Sequence, residues 1–463
     1  MSLNSMCFFP FFQYRGIKIG PYIAGFLFSL GLFLSTTWVE IGKANAATAA
    51  CTHYASPSGG GNGLSQGSPF QIANFWSVAG PGKTLCLLDG IYTGANSVIV
   101  PPSNVTGTSG NPITIRALND GAVTLDGGGT ITNLITLNPG NSWFIIRGMN
   151  AHGSGSGGVV GIGGNHNRYE RIVAWDRSGG NGGVFQASGY GDSDNVLEDI
   201  AAFGMARYVL GVTQGADNTT VRRFWGMWEQ PQSGMQEPNA TIEAMYHGFN
   251  HHFENVIATW DGVVSAPNPY GIFNIIDHDT GHFIKGSIFY VKSGQNYNGG
   301  RLVGGGSCDT TIEHSVVYTE QSYAPFGLTG STDPCTPNNH LTNTTEIGGT
   351  ASSISSGWTI SNRVDVDAVA QAPNIWNGAG NQGARVCKQY VNGTLTNNPL
   401  WPWPMDARIR AALIASGRNP DTIFGGTGNS VTQQMEQMFG PIPSECRTGS
   451  QLLAAPSGLS VTP

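Results

Sequence analysis

Apolar positions along this chain come in short clusters, each followed by small or polar residues, and the clusters resemble one another. Phe144-Ile145-Ile146-Arg147-Gly148, Tyr169-Glu170-Arg171-Ile172-Val173, Leu197-Glu198-Asp199-Ile200-Ala201 and Val221-Arg222-Arg223-Phe224-Trp225 begin the series. Phe253-Glu254-Asn255-Val256-Ile257, Ile284-Lys285-Gly286-Ser287-Ile288 and Ile312-Glu313-His314-Ser315-Val316 continue it. One apolar anchor per cluster, at 146, 169, 197, 221, 253, 284 and 312, gives intervals of 23, 28, 24, 32, 31 and 28 residues, with Ile115 and Ile360 extending the series. Unequal periods around a constant core of strands are the pattern of a solenoid whose loops vary freely. A propeller or sandwich would need hairpins between neighbouring strands. The anchors instead look alike, as stacked parallel strands do, with like on like building one inward column. The pattern therefore predicts an all-β, right-handed, single-stranded parallel β-helix over residues 47–385.

Residues of equal offset then become neighbours on successive coils. One position after the anchors stand Arg147, Glu170, Glu198, Arg222, Glu254, Lys285 and Glu313, read as an outward ladder of ion pairs. Such pairs contribute only ~0–1 kcal/mol each when exposed. Eight positions after the anchors stand Glu229, Asp261, Lys292 and Glu320, with Trp228 and Trp260 one position earlier. Carboxylates beside stacked indoles at the base of long insertions suit a glycan site: ring faces cover sugars, and paired carboxyls supply acid and base. Lys292 and Arg301 would neutralise a uronate and assist proton abstraction. The competing reading is that these residues merely pack the insertions down.

The histidines repeat with the coil. His247 and His278 are 31 residues apart, as are His251 and His282, and Asp277 and Asp279 flank His278. This predicts two stacked pairs, suited either to a metal or acid–base site or to satisfying backbone groups in tight turns.

Composition narrows the class. Charged residues are 11% of the chain, glycine is 67 of 463 residues and the formal charge is −7, which excludes a basic nucleic-acid surface. Residues 1–46 carry Arg15 and Lys18, an apolar run from Ile23 to Leu34 and Ala44-Asn45-Ala46. They read as a secretory signal peptide, an uncleaved anchor being the alternative, and place the folded part outside the cytoplasm, with no membrane association after cleavage. Beyond Cys7, the six cysteines favour three disulfides; pairing each with its regional neighbour gives Cys51–Cys86, Cys308–Cys335 and Cys387–Cys446.

His53-Tyr54-Ala55-Ser56-Pro57-Ser58-Gly59-Gly60-Gly61-Asn62-Gly63, then Ser68-Pro69-Phe70, Pro81-Gly82-Lys83-Thr84-Leu85 and Leu88-Asp89-Gly90-Ile91-Tyr92 resemble the opening of pectate-lyase-like β-helix proteins, including polysaccharide lyase family 6. The resemblance covers about residues 51–370. It implies an extended strand, an N-terminal capping helix and the first coil. It also implies polysaccharide as partner and a lysine base, an arginine acid and calcium held by acidic residues. Lys285 followed by Arg301 is the nearest match to that machinery. The paired aspartates and Gly-His-Gly of β-helix hydrolases are absent, Asp279-Thr280-Gly281-His282 being a partial likeness. The expected function is a polysaccharide lyase before a hydrolase, with a non-catalytic carbohydrate-binding or adhesive surface protein as the alternative.

The C-terminal part differs. Trp401-Pro402-Trp403-Pro404 leads into a helix from Met405 to Ser416, with Ile409, Leu413 and Ile414 on one face, and a second from Ser430 to Phe439 with Ser430 as cap. Residues 386–450 are expected to cover the last coil, whose open strand edges invite pairing, and 451–463 to be a linker or the start of a further module. The oligomeric state is left open.

Overall fold

Each coil of the chain contributes three short strands, and the corner between the first and second decides which side chains face inward. In the computed structural model, which describes residues 50–230, 239–261, 269–276, 280–295, 297, 299–330, 338–380 and 382–448, these strands stack in parallel into a β-solenoid of about 10 turns. Residues 1–49 and 449–463, with the expected signal peptide and terminal linker, lie outside the described residues. First and second strands join into one large sheet. Third strands, from Ile135–Thr136 to Ser353–Ile354, form a nine-stranded sheet in unbroken sequence order.

The anchors pair as the sequence predicts: Ile115 with Ile146, then Tyr169, Leu197, Val221, Phe253, Ile284 and Ile312 in turn. All eight side chains are wholly buried. Leu85 precedes them and Leu341 stands between Ile312 and Ile360. From Ile146 onward, two residues past each anchor the backbone turns left-handed, at Gly148, Arg171, Asp199, Arg223, Asn255, Gly286, His314, Asn343 and Asn362. That corner resets the pleat, so the residue three past the anchor (Ile172, Ile200, Phe224, Val256) also points inward.

The ladder one position after the anchors forms in register, with Arg168 at 2.9 Å from both Glu170 and Glu198, Arg222 at 2.7 Å from Glu254 and Lys285 at 3.2 Å from Glu313. It is not a solvated face. The antiparallel hairpin Lys388–Val391/Thr394–Pro399 lies on it, Arg222 donating to Asn392 and Lys285 to the Gly393 carbonyl. Burial opposes ionisation of Glu198 and Glu254. Arg223 and Arg222 outweigh it at Glu198, and His252 and Arg222 at Glu254, holding both carboxyls at about 2.

A second polar column lies two residues before the anchors and is fully internal: Asn167, Asn195, Thr219, His251, His282, Thr310 and Asn339. The asparagine and histidine rungs accept from backbone donors of the neighbouring coil. The Asn167 N–H donates to Asn195 at 3.0 Å, the Thr219 N–H to Nδ1 of His251 at 3.3 Å and the His251 N–H to Nδ1 of His282 at 3.4 Å; the Thr310 N–H donates to Asn339 at 2.9 Å.

At the N-terminal end the expected capping helix is a six-residue 3₁₀ helix, Ile72–Ser77, burying Ile72 and Phe75. The C-terminal helices form as expected at Asp406–Ala415 and Val431–Phe439, the second with a capping box between Ser430 and Gln433. Two expectations are corrected. Ile414 is exposed, and Ile409, Ala412 and Leu413 form the buried face. The helices also do not sit over the last coil. They lie along the flank, burying Trp175, Phe203, Trp225, Met227, Tyr290 and Tyr318 of the large sheet against Trp401, Trp403, Leu413 and Met435. The outward aromatic column of the second strands demands such a cover, because left bare it would be a long apolar patch. The disulfides Cys51–Cys86 and Cys387–Cys446 form as predicted; Cys308 is disulfide-bonded, and its expected partner Cys335 lies outside the described residues. No helix of the described residues is long and apolar enough to cross a membrane.

The internal ladder makes a pH prediction. Burial holds His251 well below 6.5 and His282 at about 3, so both fold neutral. The unfolded chain protonates them near 6.5, so their contribution is complete above that pH and is lost as pH falls toward 3. The double variant H251N/H282N, which copies the asparagine rungs, should lose less stability over that range in thermal melts; parallel curves would refute the assignment. His251→Leu, leaving the Thr219 N–H unpaired, should cost ~1–3 kcal/mol.

Candidate functional site

The column eight past the anchors is assembled as predicted but is occupied. Glu229, Asp261, Lys292 and Glu320 end the second strands, the Asp261 N–H donating to the Trp228 carbonyl and the Glu320 N–H to that of Val291. Glu229 is gripped at both oxygens by Arg418, at 2.6 Å each. The same guanidinium holds Asp176 at 2.8 and 3.2 Å and lies 4.9 Å from the Phe203 ring centre. Burial pushes the Glu229 carboxyl up, Arg418 opposes this, and the charges of Asp176 and Asp261 reinforce it. Burial likewise raises Asp261, against Lys292. Glu320 accepts from the Tyr318 hydroxyl and the Ser293 N–H. Arg418 belongs to the C-terminal segment, so Glu229 and Asp176 fasten that segment to the solenoid.

Trp228 and Trp260 cannot present a ring to sugar. Both are wholly buried inside the solenoid, stacked at 3.7 Å between ring centres. The left-handed corner at Arg223 is the reason: it shifts the parity so that Phe224 and Trp228 point in while Trp225 and Met227 point out. His251 and His282 stack at 5.1 Å as expected, but as rungs of the internal ladder. His247 is exposed, and Asp277, His278 and Asp279 lie outside the described residues. Among the described residues no group of three or more His, Cys, Asp or Glu could share a metal ion.

Arg301 leads to a different face. It opens the third strand Arg301–Ser307, and its side chain lies over Gly304 and Gly327, where an added Cβ would meet it at 1.9 and 2.2 Å. Gly304 and Gly327 belong to the outward row of the nine-stranded sheet, which reads Gln186, Gly211, Glu243, Asn274, Gly304, Gly327 in register. Tyr208 lies over Gly211 in the same manner. Glu243 stands mid-row, wholly buried, with neither carboxyl oxygen hydrogen-bonded, and both amide atoms of Asn274 beside it are equally unpartnered. Burial pushes the Glu243 carboxyl up to about 8, against the attraction of Arg207. Arg177, which acts electrostatically on Tyr208 together with Arg207, donates to the Gly179 carbonyl at 2.7 Å.

Buried polar atoms are normally paired, and Glu243 and Asn274 form an adjacent pair with four buried atoms that have no hydrogen-bond partner. The sequence carries a signal for it that the first-strand anchors do not reach. Glu243 interrupts the apolar run Ala240-Thr241-Ile242-Glu243-Ala244, and Asn274 interrupts Ile272-Phe273-Asn274-Ile275 one coil of 31 residues later.

The class is thus a parallel β-solenoid with one outward polar row carrying a single unsatisfied carboxyl among the described residues. No family model and no curated protein matches the sequence. Among solved structures the chain is similar to the pectate lyase Pel9A (15% identity, TM-score 0.46, covering 67% of this chain and 78% of that one). It is also similar to a rhamnogalacturonan lyase (15%, 0.43, 68% and 87%). A third similar structure is the PL6 family alginate lyase AlyGC (14%, 0.40, 60% and 42%, this chain spanning under half of that one).

Two predictions follow from the two constellations. Arg418→Ala leaves Asp176 and Glu229 without their cation and should cost about 3 kcal/mol in denaturant unfolding, part of it recovered by adding Glu229→Gln; a cost within about 0.5 kcal/mol would mean that the clamp is idle. Glu243 ionises in the unfolded chain near 4.5 but in the folded protein at about 8. Its cost is absent below the first value, grows between them and is constant above the second. Glu243→Gln should therefore melt with the natural protein near pH 4 and several degrees above it at pH 8, and a gain that does not vary with pH would contradict the buried carboxyl.

Proposed function

We propose that this protein is a secreted polysaccharide lyase that binds a uronate-containing glycan along the outward row of the nine-stranded sheet, with Glu243 as its proton-transferring group. The observation that carries the reading is the unpartnered, wholly buried Glu243 beside unpartnered Asn274. Coils repeat at ~4.8 Å, so the row is linear and suits a linear polymer. Arg177 and Arg207 precede Glu243 and Arg301 follows it, so with Glu243 protonated the named ionisable groups of the row are cationic, although the chain as a whole is acidic.

The chemistry is β-elimination. Arg207 and Arg301 offset the charge of a uronate carboxylate and the Asn274 amide donates a hydrogen bond to it, which acidifies the carbon beside it. Glu243, ionised, takes that proton; the electron pair forms the new C=C bond as the C–O bond breaks, and the leaving glycosidic oxygen takes a proton from water. A carboxyl at about 8 is well matched to this, since a general base is strongest when its pKa lies near the working pH. Hydrolysis uses a pair of carboxyls; Glu229 and Asp176 are committed to Arg418, which favours elimination. The disulfides fit an oxidising, extracellular setting. Calcium is proposed as an accessory cation on the substrate.

The test is incubation with polyuronates, with and without calcium, following ultraviolet absorbance of the unsaturated product. Activity should rise toward pH 8, and Glu243→Gln should lower it by about 100-fold or more while still binding glycan. Binding without turnover in the natural protein would make it a carbohydrate-binding module. Turnover retained by Glu243→Gln would remove Glu243 from the chemistry.

A further inference from the structure

With Trp228 and Trp260 sealed inside, the ring that receives sugar must come from elsewhere. Among the described residues the exposed large apolar side chains include two aromatics, Tyr190 at 75% and Phe249 at 41% exposure. Both stand at the corner that follows the nine-stranded sheet. Tyr190 comes two residues after Gly183–Ser188, whose outward residue is Gln186, and Phe249 comes six residues after Glu243 in the same coil. Neither is a loose surface residue. The Tyr190 ring rests on Gly215 of the next coil, where a Cβ would meet ring carbons at 2.3 and 2.6 Å, and Gly215 has a left-handed φ of 76°. Only glycine accommodates both that backbone and that ring. Phe249 is held in register by bridges to Asp217 and Thr280, and its N–H donates to Asp217 at 3.2 Å.

A large ring kept three-quarters in water while its other side is seated on glycine does not contribute its area to the core. Its open area is available to the apolar face of a pyranose. The two rings sit two coils apart, roughly 10 Å along the axis, with Tyr190 leaning onto the coil between. We infer that Tyr190 and Phe249 form a sugar-stacking subsite bordering the Glu243 row, taking pyranose units of the bound chain away from the reacting bond. This rests on the proposed function.

The full chain carrying Tyr190→Ala, Phe249→Ala or both should melt with the natural protein. Tyr190→Ala should raise KM for a long polyuronate about 10-fold with kcat within about 2-fold, Tyr190→Trp should restore it, and the double variant should raise it further. In the Glu243→Gln background, calorimetry with the same glycan should show the same loss of affinity. Unchanged KM and affinity in Tyr190→Ala would overturn the subsite while leaving Glu243 untouched. Loss of turnover only in Glu243→Gln, with Tyr190→Ala normal, is that outcome. If the natural protein turns over nothing, calorimetry on it decides the subsite by itself: unchanged affinity between natural protein and Tyr190→Ala, or no glycan binding at all, overturns it.

Discussion

The register between coils is the constraint on which every other feature depends, and the left-handed residue two past each anchor enforces it. A slip of one residue would turn each strand's inward set outward. Here it would also place a β-branched or aromatic residue at a left-handed corner, where only Gly, Asn, Asp and a few tethered residues are tolerated. Arg171 and Arg223 hold that conformation because their guanidiniums are tied, at 2.7 Å to Asp120 and 2.5 Å to Asp199. Backbone geometry and side-chain electrostatics thus specify the same alignment.

From that corner follow the three fates of polar residues in this fold. Those one position after the anchors form an ion-pair ladder that a hairpin covers, so their burial is balanced by arginines. Those two positions before the anchors turn inward and saturate backbone donors, as neutral Asn, Thr or His. At the strand ends, Glu229 with Asp176 holds the C-terminal segment through Arg418. The flank of aromatic residues is covered by helices instead of water.

The coil register, the inward column, the ion-pair ladder and the stacking of His251 on His282 were legible in the sequence, because each follows from equal offsets between repeats; the disulfides Cys51–Cys86 and Cys387–Cys446 followed instead from pairing regional neighbours. What was not legible depended on parity and on distant chain. Counting eight residues from Val221 correctly brings Glu229 above Asp261, but it does not register that the corner at Arg223 turns Trp228 inward. Nor does any local pattern announce that Arg418, 189 residues away from Glu229, will claim it. The helices at Asp406–Ala415 and Val431–Phe439 were visible from their own periodicity and cap. Their docking on the flank was not, since it depends on the outward column Trp175, Phe203, Met227, Thr259, Tyr290, Tyr318, which comes together only after stacking.

Glu243 and Asn274 stand apart from all of these arrangements. The rest of the described chain shows how readily this architecture supplies a counter-charge: an arginine lies against Glu198, Glu254, Glu346 and Glu229 alike. Glu243 has Arg207 near enough to act on its charge, yet no hydrogen bond. A solenoid built only for stability would gain by replacing it with an apolar residue, since burying an unpaired polar group costs more than any contact it makes. The neighbouring rows of the nine-stranded sheet do use apolar residues, Ile242 and Ala244 in the same strand and Phe273 and Ile275 in the next. The destabilised pair lies in an outward row, flanked by Gly211 and Gly304, over which Tyr208 and Arg301 lie. That combination of retained cost and outward aim distinguishes Glu243 and Asn274 from the rungs of the internal ladder.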